Sequence, residues 1–88
     1  MNQDELTEDQ VLQLISPFSA QRKAQTAQTY ARAAMDGTVA NEARLMRIDV
    51  LDALEHQALY IIGNAQTWHG NEARRAKEAL KAWLKTRN

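Results

Sequence analysis

Asp49, Asp52 and His56 are the residues whose types and spacing come nearest to doing chemistry. At i, i+3 and i+7 they share one sector of a helix, where two carboxylates and an imidazole could converge on a divalent metal, with His69 the nearest residue to complete a shell. Carboxylates on the wet side of a helix are ordinarily solvated, however, and Asp52 with His56 at i, i+4 makes at most a weak pair. No metal and no other cofactor is therefore expected. Ser16 and Ser19 have no histidine close in sequence, and no Gly-rich phosphate loop or nucleophile elbow occurs, so no catalytic residue is expected. The absence of Cys removes thiolate ligands, disulfides and a thiol nucleophile, and fits a reducing compartment.

A second set carries charge. Arg74, Lys77, Lys81 and Lys85 run in line beside the apolar face of Ala73, Ala76, Leu80, Trp83 and Leu84, after a turn at Gly70-Asn71. That arrangement resembles the second helix of a helix-turn-helix laid in a DNA groove. Three features weigh against it: Glu78 interrupts the line, His69 stands where an aliphatic residue would be wanted, and the formal net charge is zero, so no long-range field draws in phosphate. Lysines snorkelling beside an apolar stripe explain the pattern equally well. DNA binding is the alternative reading and is not expected. Among aromatics, Trp68 and Tyr60 are candidate anchors for a partner, because Trp, Tyr and Arg most often carry binding energy, whereas Trp83 is read as core.

The element that must position these residues is the stretch 39–68. At about 100° per residue, Val39, Ala43, Met46, Val50, Leu54, Ala58, Ile61, Ala65 and Trp68 fall on one broad face. Leu45, Ile48 and Leu59 fall nearly opposite, as a second, narrower stripe. One helix with two apolar stripes needs two neighbours, and a short chain has few elements left to cover the second. A patch of that kind is one that soluble monomers avoid, so a homodimer burying Ile48 is expected, with Leu45, Ile48, Leu59, Tyr60 and Trp68 as the partner-binding residues. Gly63-Asn64 either ends this helix through a left-handed residue or sits inside it at about 1 kcal/mol against Ala.

Along the rest of the chain, Thr7 and Gln10 form a capping box with Leu6 placed to staple onto Val11, and Glu8 and Asp9 lie at the positive end of the helix dipole. This first helix ends near Ser16, because Pro17 disfavours a helical residue before it. Ser16-Pro17 then opens a second helix carrying a seam of Ala20, Ala24, Ala27, Ala31 and Ala34, spaced for close backbone approach. Asp36-Gly37-Thr38 is a turn, with Thr38 able to cap the next helix, so helices two and three should form an antiparallel hairpin. Gly70 closes the third helix and Asn71 caps the fourth.

Eighty-eight residues, 44% hydrophobic and 25% charged, make one ordered helical domain over 1–88, with 1–6 open to disorder. The longest apolar run, Ala58 to Ile62, is far too short to span a bilayer, and residues 1–20 have neither a basic n-region nor an apolar h-region, so a cytoplasmic location without membrane contact is expected. The expectation is an all-α, four-helix domain, near 7–16, 17–36, 39–68 and 71–86, built on the hairpin of helices two and three. Its expected function is that of a non-enzymatic protein-interaction module, probable homodimer included, and the alternative is a small DNA-binding regulator using Arg74, Lys77, Lys81 and Lys85. Size, neutrality and helicity resemble small accessory or inhibitor proteins of phages and mobile elements.

Overall fold

A computed structural model describes residues 5–87, and among these the chain is all-α: five helices and two 3₁₀ turns, without a strand. The expected disorder at 1–4 lies outside the described residues. Leu6 is half-buried against the core and Glu5 is ion-paired, so the disorder does not extend to 5–6.

Helix α1, Glu8–Ile15, starts with the anticipated capping box. The Gln10 N–H donates to Thr7 Oγ1 at 3.2 Å, and the Thr7 N–H donates to Gln10 Oε1 at 2.9 Å. Val11 and Ile15, one turn apart, are fully buried. The second expected helix does not start at Pro17. Residues Ser16–Ala20 and Arg22–Ala24 form two 3₁₀ turns instead, separated by an extended Gln21 with φ −94° and ψ 92°. Local side chains compete for the carbonyls that an α-helix would use: Ser19 Oγ donates to Ser16 O and Gln21 Nε2 to Pro17 O. Gln28 Nε2 and Arg32 Nε then donate to Ser19 O from the following helix and hold the bend.

Helix α2, Gln25–Met35, follows, and Gly37 in the left-handed region (φ 88°) turns the chain into α3, Thr38–Leu45. Thr38 is not the cap. Asp36 takes that role, its Oδ1 accepting from both the N–H and the hydroxyl of Thr38, which pulls the Asp36 carboxyl below the usual carboxylate range.

The expected helix over 39–68 is two helices. α3 ends at Leu45, and α4, Val50–Gly63, begins after Asp49. The intervening residues form a Schellman-type end: the Ile48 N–H donates to Ala43 O at 2.8 Å, the Arg47 N–H to Arg44 O at 3.2 Å, and Arg47 is left-handed at φ 60°. Asp49 restarts the helix, its Oδ1 accepting from the Leu51 and Asp52 N–H groups. Helix α4 stops at Gly63 without a left-handed residue, and a short turn leads through Trp68 to α5, Asn71–Thr86. Gly70, at φ 107°, is the residue before α5, and Asn71 is its first residue.

Phe18, Ile15, Leu54, Ile61, Leu80 and Val11 make the centre of the core. The Ala seam lies inside it: Ala24, Ala27, Ala31 and Ala34 are buried where α2 packs on α4, while Ala20 is exposed. Close approach is the use of the seam, as the spacing predicts, but it is spent within one chain and is unavailable to a second copy.

Candidate functional site

The Schellman-type corner between α3 and α4 sets three large apolar side chains outward. Leu45 is 84%, Met46 68% and Ile48 43% exposed. Their backbone is held by the bonds just described, so the ridge is a fixed shape and not a floppy loop. Beneath it runs a cleft of about 280 Å³ lined by Val39, Met46, Ile48, Ala53, His56 and Gln57. Gln57 Nε2 donates to Tyr30 O at 2.8 Å, and Tyr30 stacks on Tyr60 with ring centroids 5.3 Å apart, which extends the apolar surface along α4. Met46 was read as core from the wheel. The break in the helix carries it to the surface instead.

The break also dissolves the second stripe. Leu45 and Ile48 belong to the corner, whereas Leu59 belongs to α4 alone. Counting about 100° per residue from the buried Leu54, Leu59 and Tyr60 lie about 140° and 120° away in opposite senses. Tyr60 therefore follows the cleft, and Leu59, though exposed, faces the side of Glu55 and Asp52 and leaves the candidate surface. Trp68 leaves it too. It is 6% exposed and meets Phe18 edge to face at 5.2 Å, so it is core and not an anchor.

The three residues that suggested a metal have separate occupations. Asp49 caps α4, Asp52 accepts from Arg87 Nη2, and His56 lines the cleft under the ridge. Among the described residues, no group of three or more His, Asp or Glu side chains is placed to hold a metal ion.

Of the basic line, Arg74, Lys77 and Lys81 border a cleft of about 470 Å³ at the start of α5, together with Trp68, His69 and Glu78. Lys77 Nζ donates to Trp68 O at 2.7 Å, which fixes its position. Lys85, one turn beyond Lys81, does not line the cleft. Beside it lies a second cleft of about 380 Å³ lined by Ala20, Gln21, Arg22, Lys23 and Thr67, and the two share Trp68 and His69 as a common wall. Arg22 and Lys23 escaped notice in the sequence because they are some fifty residues from α5; Thr67 Oγ1, donating to Lys23 O at 2.5 Å, ties the two segments together. Among the described residues no helix is long and apolar enough to cross a membrane. Compared with known protein families, with curated proteins and with solved structures, the chain matches none.

Proposed function

We propose that this protein is a non-enzymatic interaction module that works by occupying a protein partner through the ridge of Leu45, Met46 and Ile48, and that its first partner is a second copy of itself. One observation carries the reading: large aliphatic side chains stand exposed on a backbone that hydrogen bonds hold rigid, so contact costs little ordering entropy. Contiguous exposed apolar surface marks sites of association, and Tyr60 adjoins the ridge as an aromatic of the kind that anchors interfaces. A twofold contact, ridge against ridge, covers both copies at once.

Light scattering coupled to size exclusion tests this. The expected mass at micromolar concentration is twice the 10.0 kDa of the chain. Leu45→Glu with Ile48→Glu should return it to the single-chain mass with helical content unchanged, because both side chains are exposed. A single-chain mass at all concentrations up to about 100 μM, or a double variant that stays dimeric, would refute the assignment.

A further inference from the structure

We propose that the groove between Arg22-Lys23 and the first half of α5 binds the phosphate backbone of a nucleic-acid duplex without regard to base sequence. The sequence argued against this through its zero net charge, and the fold removes that argument. Among the described residues every ion pair engages either Arg44, with Glu8, or Arg87, with Glu5, Asp52 and Glu55. Arg22, Lys23, Arg74, Lys77 and Lys81 therefore line the two joined clefts with no carboxylate bound to any of them, and Glu78 is the one acid in the lining. Neutrality is the sum of two separated patches. From Arg74 to Arg87 is about 20 Å along α5 at 1.5 Å per residue. At physiological salt a charge is screened within about 8 Å, so the acids around Arg87 do not cancel the groove.

Geometry and chemistry select the occupant. Arg74, Lys77 and Lys81, at i, i+3 and i+7, span about 10 Å along one wall. That matches three phosphate steps of about 3.4 Å along a strand, with Arg22 and Lys23 on the facing wall. An acidic polypeptide would want apolar anchors as well as charge, and the one large apolar lining residue, Trp68, is buried. The same burial leaves no tryptophan face for base stacking, the main device of single-strand binders, which favours a duplex held by its backbone.

Fluorescence anisotropy of a labelled mixed-sequence duplex of about 20 base pairs, titrated with the full chain, tests the proposal. Neutralising three to five phosphates predicts that affinity falls roughly 40- to 500-fold between about 50 and 200 mM salt. Arg22→Glu with Lys23→Glu, and separately Arg74→Glu with Lys81→Glu, should each weaken binding more than about tenfold. The charge-matched pair Arg47→Glu with Lys85→Glu, outside the groove, should change it less than about threefold. On the unmodified protein, duplex should shift the amide resonances of 22–23 and 69–81 first, a readout independent of whether any variant folds. No anisotropy change up to about 100 μM protein at low salt, or amide shifts centred elsewhere, would overturn the site. Tighter binding of poly-glutamate than of duplex would assign the groove to an acidic polypeptide instead, and tighter binding of the single strand would overturn the duplex.

Discussion

Arg87 Nε donates to Glu55 Oε1 at 3.0 Å, joining the residue that ends α5 to the second turn of α4. The same guanidinium donates to Glu5 Oε1 at 2.9 Å and to Asp52 Oδ1, and it lies 5.8 Å from the centre of the Trp83 ring. One cation thus binds three segments of chain, with its side chain 14% exposed. The Glu55 hydrogen bond, followed by the neighbouring carboxylates, raises the already high pKa of Arg87, so it is charged at every accessible pH.

Removing that cation leaves three carboxylates facing one another. Arg87→Met keeps the stem over Trp83 but should lower stability by about 1 to 3 kcal/mol, more than an isolated surface pair, because the partners form a network of limited exposure. Arg87→Lys should fall between, since an ammonium keeps the charge without the fork. Urea unfolding reads the loss, and the gap to wild type should narrow at about 0.5 M salt. An Arg87→Met protein as stable as wild type would show the network to be ornamental.

Arg47 occupies the left-handed region at φ 60°, where an L side chain costs roughly 1 to 2 kcal/mol and glycine costs almost nothing sterically. Arg47→Gly should therefore stabilise the protein, by about 0.5 to 1 kcal/mol after allowing for the extra freedom of glycine in the unfolded chain. The measurable result is a higher urea midpoint. Arg47→Val should move the midpoint the other way, because a β-branched residue resists that conformation more strongly.

Asp36 supplies the acid-sensitive link of the α2–α3 turn. Its folded-state pKa is lowered, first by the Thr38 hydroxyl and then by the Thr38 N–H, so its contribution is fully present above the unfolded carboxylate pKa near 3.9 and is lost as pH falls through the folded value. The difference in urea midpoint between wild type and Asp36→Ala should be constant from about pH 7 to 5 and shrink below about pH 4. A difference that grows on acidification has the wrong sign and would remove Asp36 as the cap.

Much of the helical order was written in the sequence, because the signals are local. Thr7 and Gln10 start α1, Gly37 turns α2 into α3, and the spacing of Ala73, Leu80 and Trp83 gives α5 its buried face, each within a few residues of its cause. The break at 46–49 was also local in origin. Ala43, Met46 and Val50 stay in helical phase across it, and that phase concealed a capping signal, Asp49 before Asp52, from any count of apolar spacing.

What only the tertiary structure decided is which surfaces remain. Phe18 is fifty residues from Trp68, yet the contact between their rings turns an apparent anchor into core. The Ala seam was spent on α4 and not on a partner, since backbones that approach closely within a chain need no second copy to cover them. Charge followed the same rule. A chain of zero net charge cannot reveal by its composition that Arg87 draws Glu5, Asp52 and Glu55 to one end of α5 while Arg22 and Lys23 join Arg74, Lys77 and Lys81 at the other. Composition sums charge over the chain, whereas screening in water confines each charge to its neighbourhood, and only folding assigns the neighbours.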